Sequence, residues 1–305
     1  MTEKGWWHSC VTLQGIRMKT VEITYRYWSP APTRPRPHDA EAARLRLSEG
    51  NHAFATLLDS LPEGAGLARR VIDVDPRDLG LLQGENNAPS QHPFAVVLGC
   101  SDARVPIELI FNEGPNDLFV VRVAGNGLGH DVLGSLWYAL EHLRESLRLV
   151  VILGHSGCGA VSAAVDALLH PLGYLSISTS YSLRGILDRL FIVVEAAARK
   201  LAATYGSDVA EQPGYRNALI AATVAGNAAQ VAFSVQRELT GLGLNELRVV
   251  YGVYRLETRE IWVPPGTADP ATRLAHPPTD IVAFDQLGDA IAKSDLIARD
   301  LGRHE

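Results

Sequence analysis

Four short apolar, β-branched runs, "FAVVLGC", "DLFVVRVAG", "RLVVILGH" and "LRVVYGVY", constrain the fold of this chain more than any other feature. None alternates apolar with polar residues, so each predicts a strand covered on both faces, as in a parallel sheet flanked by helices. Between the second and third, "DVLGSLWYALEHLRESL" places Val132, Leu136, Ala139, Leu140 and Leu143 at helical spacing. This completes a strand–helix–strand unit expected to cross over right-handed. Two long helices are expected around "LRGILDRLFIVVEAAARKLAATYG" and "YRNALIAATVAGNAAQVAFSVQRELTG". "VYRLETREIWVPP" reads as a hairpin that adds one antiparallel edge strand and stops at prolines. The predicted fold class is α/β: a mostly parallel central sheet, about four parallel strands plus an antiparallel edge strand, flanked by helices.

The flanks read differently. Residues 1–45 form an arm, aromatic at "GWWHSC" and then rich in breakers at "SPAPTRPRPH", expected to be partly disordered or to embrace a second subunit. A helix follows in "DAEAARLRLSEGNHAFATLL", with an interruption expected near Gly50. Residues 46–264 make the main domain, and 265–305 a proline-broken linker with one modest amphipathic helix around "DIVAFDQLGDAIAKSDLIARDL".

The net charge of −6 provides no cationic excess for phosphates, so neither nucleic acid nor a membrane surface is an expected partner. Three cysteines, Cys10, Cys100 and Cys158, are too few and scattered for a disulfide framework and suit a reducing compartment. With no apolar run of signal-peptide length in the first thirty residues and no later run read as long enough to span a membrane, the expected location is cytoplasmic.

The first and third runs end alike, in "VVLGCSDAR" and "VVILGHSGCG". Ligands bind at the carboxyl ends of strands in open parallel sheets, so Cys100, Asp102, His155 and Cys158 can converge there. Two thiolates, an imidazole and a carboxylate form a donor set suited to tetrahedral zinc. Arg104, two residues beyond Asp102, can pair with it bidentately. Asp102 then has two options, the metal or Arg104, and the second leaves a coordination position for water. Taken singly, these residues read as a core thiol, a satisfied imidazole and a loop salt bridge. Their placement together at matching strand ends points to a metal centre.

Two other motifs compete. "GHSGC" nearly matches the serine-hydrolase elbow G-x-S-x-G, with Ser156 as nucleophile, but Cys158 replaces the last glycine, and the later His276 and His304 lie in the tail. "GNGLG" at 125–129 lacks the full dinucleotide fingerprint and reads as a tight turn.

In their order and separation, "CSDARVP", "DLFVVRVAGN" and "GHSGCGAV" resemble the β-class carbonic anhydrases, and the resemblance runs from "EGNHAF" to "VVYGVYRLETREIWV". It implies that 46–264 is a zinc domain with one Zn2+ per subunit, with Cys100, His155 and Cys158 as permanent ligands. Asp102, a fourth ligand when the site closes, would form a catalytic dyad with Arg104. The implied reaction is reversible hydration of CO2 to bicarbonate and a proton by hydroxide held on zinc, in a homodimer or dimer of dimers. Relatives on this scaffold hydrolyse carbonyl sulfide or carbon disulfide, and a silent bicarbonate- or zinc-binding regulator with Asp102 locked on the metal is a further alternative. Some members hold an inhibitory bicarbonate with a tryptophan, an arginine and a tyrosine. Arg122 and Tyr138 match here, while Val97 stands at the tryptophan position, and Val123 replaces an asparagine common after the arginine.

Overall fold

The computed structural model describes residues 19–28, 35–57, 59, 66–81, 88–172, 181–244, 246–268 and 272–303. The tryptophans of "GWWHSC", Cys10, His304 and most of the proline-rich run lie outside them.

The four apolar runs form the central sheet. Strands β3 (Ala95–Gly99), β4 (Leu118–Arg122), β5 (Leu149–His155), β6 (Arg248–Tyr254) and β7 (Ile261–Trp262) lie in the order β4-β3-β5-β6-β7. The first four are mutually parallel and β7 pairs antiparallel with β6, as expected from the hairpin. In register, Val120, Val97, Val151 and Val250 form one row across the sheet. All residues of β3 and β5 are buried. Alternate residues feed two separate cores: Val96, Leu98, Val150 and Ile152 face one, and Ala95, Val97, Leu149 and Val151 face the other. Each valine, leucine or isoleucine among them contributes about 1.5–3 kcal/mol on burial, which is why the runs are apolar throughout.

The first core is covered by α3 (His130–His142), α4 (Gly159–Leu169), α5 (Tyr181–Tyr205) and α6 (Tyr215–Gly241). The second is covered by α1 (Ala40–Ala55) and the short α2 (Ile107–Phe111). Because β3 lies between β4 and β5, the connection through α3 spans a strand rather than joining neighbours. Helix α6 departs from expectation: by length and composition it could cross a membrane, but 72% of its most apolar stretch is buried inside the fold, where it packs on β5 and β6.

Gly50 does not interrupt α1. The helix starts at Asp39, whose carboxylate accepts from Ala42 N at 2.8 Å, and continues to Ala55. Gly50 marks the crossing of α1 and α2, where any Cβ would overlap the carbonyl oxygen of Phe111. One turn earlier, Arg46 reaches the fully buried Glu113 through two bonds, Nε to Oε1 at 2.8 Å and Nη2 to Oε2 at 2.5 Å, with its guanidinium 4.5 Å from the Phe94 ring centroid.

Two strands were not legible as such. β1 (Lys19–Tyr27), within the expected arm, pairs in parallel with β2 (Gly66–Val74) as a separate two-stranded sheet. It is tied to the main body by Arg70 Nε donating to Asn112 Oδ1 at 2.7 Å. The expected tail helix is two helices, α7 (Ile281–Ala292) and α8 (Asp295–Asp300), separated because the Ser294 side chain caps the second. Lys200 on α5 holds α7 through Asp285 and Asp289, each at 2.7 Å.

Candidate metal centre

β3 and β5 end side by side, with Gly99 in register with Leu153, so Cys100 and His155 emerge at the same edge of the sheet. Cys158 opens α4 as its N-cap residue, three positions after His155. The ligand atoms of Cys100, His155 and Cys158 all lie within 4.8 Å of one another, and all three residues are buried. The two sulfurs are 4.0 Å apart.

The imidazole is oriented for a ligand. Nδ1–H donates to the Ser156 carbonyl at 2.9 Å, which leaves the lone pair on Nε2. Nε2 is buried and has no hydrogen-bond partner among the described residues. An unsatisfied buried polar atom costs about 1–3 kcal/mol, and a cation bound there removes the penalty. The thiols fit the same conclusion. Cys100 is pulled down to about 3, first by the hydrogen bond from Cys158 and further by backbone N–H groups. Cys158 is pushed well above the ordinary thiol range by that same bond and by burial. The pair therefore releases one proton readily and keeps the other between its sulfurs, a position where a dication replaces the proton.

Asp102 faces Arg104. Arg104 Nε donates to Oδ1 at 3.0 Å, Nη2 to Oδ2 at 2.7 Å, and the Arg104 backbone N–H to Oδ1 at 2.9 Å. These bonds hold the Asp102 carboxyl well below the usual carboxylate range. Oδ2 lies 3.9 Å from His155 Nε2. Arg104 Nη2 also donates to Gly157 O at 3.3 Å, joining the Asp–Arg pair to the turn that carries Cys158.

Arg122 donates to the carbonyls of Cys100 (3.0 Å) and Asp102 (2.6 Å), so its guanidinium holds the loop that follows β3. Tyr138 packs instead near Phe119 and His142, at centroid distances of 6.4 and 4.7 Å, and Val97 is buried in the second core. Val123 extends the β3–β4 ladder by backbone bonds to Gly99 and Ser101.

The hydrolase alternative finds no support at Ser156. Its Oγ donates to Glu257 at 2.9 Å and accepts from Leu256 N, while His276 lies with Arg248 and Leu149 at the opposite end of the sheet. "GNGLG" forms a turn with Gly125 at φ +68°, as expected. Residue-type reasoning missed the backbone N–H of Gly125, which approaches Cys100 Sγ at 3.4 Å, and Glu257 behind Ser156. The only sequence signal for the first was a glycine just past a strand end.

A model of the family described as "Carbonic anhydrase" matches residues 95–261. "Carbonic anhydrase 2" of Mycobacterium tuberculosis (strain H37Rv) is 49% identical over 127 residues, which are 42% of this chain and 53% of that protein. The carbonic anhydrase of Mycolicibacterium smegmatis is 49% identical over 89 residues, 29% of this chain and 42% of that protein. This chain thus spans about half the length of the curated relatives it matches. Among solved structures, the β-carbonic anhydrase CcaA aligns with a TM-score of 0.43 at 25% identity, covering 62% of this chain and 85% of that one. The matched segment begins with β3, ends with the first residue of β7 and carries both cysteines, the histidine and the Asp–Arg pair. The chain belongs to the β-carbonic anhydrase family.

Proposed function

We propose that this chain catalyses zinc-dependent reversible hydration of carbon dioxide to bicarbonate and a proton. The observation that carries the reading is the convergence of two buried thiols on a buried imidazole nitrogen without a partner, inside the family segment. Cys100, His155 and Cys158 would hold zinc, which when bound supplies Lewis acidity that lowers the pKa of a coordinated water. The chain's own residues do the rest. Ser156 O keeps His155 in the tautomer that offers Nε2. Arg104 holds Asp102 as a carboxylate beside that nitrogen, where it accepts a hydrogen bond from the attacking water and orients it. Engagement of both Asp102 oxygens by Arg104 supports an accessible site over one that Asp102 closes.

Stopped-flow CO2 hydration with metal analysis tests the reading. A folded chain holding one zinc and hydrating CO2 is the expected result; a zinc-loaded chain without hydration would sink it. Two thiolates would neutralise a bound dication, so a coordinated water would be less acidic than on a three-histidine site, where its pKa is about 7. Activity therefore rises from neutral to alkaline pH. Asp102 contributes nothing to this rise: with its carboxyl held below the ordinary value of 3.8, it is ionised throughout that range and loses its pairing only in acid.

We also propose a homodimer. Among the described residues no strand pairs with the outer edge of β4, and its apolar residues Leu118 to Val121 are only half buried, a surface that invites another strand. Sedimentation equilibrium checks this, and a monomer at micromolar concentration would count against it.

A further inference from the structure

Helix α6 buries two polar side chains one turn apart, Thr223 fully and Asn227 at 4% exposure, among residues that are mostly Ala, Val and Leu. Burying a primary amide is unfavourable unless it is hydrogen-bonded. Asn227 Nδ2 lies 3.0 Å from the carbonyl oxygen of Gly125, 102 positions away in the chain. A carbonyl only accepts, so the group facing it is the amide N–H.

Gly125 is the residue whose N–H approaches Cys100 Sγ at 3.4 Å. It sits in the left-handed region at φ +68°, ψ 15°, and a Cβ there would lie 3.2 Å from Ala160 Cβ and 3.5 Å from Leu190 Cδ1. Its carbonyl and its N–H belong to adjacent peptide planes joined by those two dihedrals. Fixing the carbonyl restrains the rotation that aims the N–H at sulfur. Gly125 is itself buried, so bulk water does not replace the amide.

We propose that Asn227 is a positioning residue of the metal centre: through Gly125 it holds a backbone N–H on the Cys100 sulfur and so sets how that thiolate donates to a metal. The inference rests on the reading of Cys100 as a zinc ligand. An N–H···S bond draws electron density from the thiolate and fixes its lone pairs. Without it the sulfur is richer in electrons and less well oriented. Groups behind a ligand typically change metal affinity about 10- to 100-fold. A merely structural asparagine, present only to satisfy the Gly125 carbonyl, would change unfolding temperature and leave the electronic state of the sulfur alone.

The experiment uses the full chain, Asn227→Leu, and Thr223→Val as a control on the same helix, since Thr223 Oγ1 is buried without a partner. Zinc affinity is read by competition with a chromophoric chelator, and sulfur donation by the thiolate-to-metal charge-transfer band of the Co(II)-loaded protein. Asn227→Leu is expected to bind zinc about 10- to 100-fold more weakly and to shift the band to longer wavelength, with Thr223→Val matching the wild type in both. If Asn227→Leu does not fold, Asn227→Met, a flexible side chain with no donor, carries the same expectation. A folded variant with wild-type competition and an unshifted band overturns the inference, as does a shift shared by Thr223→Val. A wild-type chain that takes up neither ion overturns the metal centre and this inference with it.

Discussion

On the proposed function, Asp102→Ala is expected to leave the chain folded with one zinc and to lower kcat/KM for CO2 hydration by about 10²-fold or more. The expectation separates two roles that a carboxylate beside a metal can have. The three buried donors come from Cys100, His155 and Cys158, and Asp102 directs both oxygens to Arg104, so a bound metal would keep its ligands when the carboxylate is removed. What would be lost is the proposed acceptor that orients the nucleophile beside His155 Nε2, 3.9 Å from Oδ2. Asp102→Asn, which keeps the shape but weakens the pairing with Arg104, should fall between wild type and alanine. The expected alkaline rise in activity should persist in both variants, because Asp102, held below the usual carboxylate range, is ionised throughout it. Metal content by mass spectrometry with stopped-flow rates decides the matter: loss of zinc in Asp102→Ala would make this residue a structural ligand, and unchanged turnover would remove it from the chemistry.

The largest stability change is expected at Arg46, far from the metal. Glu113 is fully buried and Arg46 meets it with a two-pronged pair, while a second carboxylate, Asp117, lies 3.4 Å from Arg46 Nη2. Removing one member of a buried pair leaves a charge in a poorly polarisable interior and costs about 3–5 kcal/mol. Arg46→Ala should therefore lower the unfolding free energy by that amount, read as a lower urea midpoint at constant m-value, and also lose the packing of the guanidinium on Phe94. Arg46→Met combined with Glu113→Leu should recover much of the loss, since replacing both charges by apolar groups is often nearly neutral. A single-mutant loss below about 1 kcal/mol, the range of exposed pairs, would show that water reaches Glu113.

The parts of this molecule legible in the sequence are those where one residue type has one physical meaning. Uninterrupted Val/Ile/Leu runs mean burial on two faces, and "CSDAR" and "GHSGC" following such runs locate donors at strand ends. The alternation of Asp102 and Arg104 correctly placed both on one side of the loop. Glycine has several meanings, and Gly50 was misread for that reason: it permits a close helix crossing instead of ending a helix. β1 and β2 were missed because their outer faces are exposed and neither segment holds a continuous apolar run. The break between α7 and α8 depends on one serine hydroxyl, a signal easily lost inside an amphipathic pattern. Backbone donors such as Gly125 N–H carry no residue-type signature.

The register of β3 against β5 has a consequence for folding fidelity. Cys100 lies on the same side of the sheet as Val96 and Leu98, facing the first core. A slip of one residue between the strands would turn that whole set over and carry the thiol to the opposite face, away from His155 and Cys158. A metal ion bound by all three donors would stabilise only chains in which this pairing is correct, so its binding free energy would discriminate between the native alignment and the compact states nearest to it.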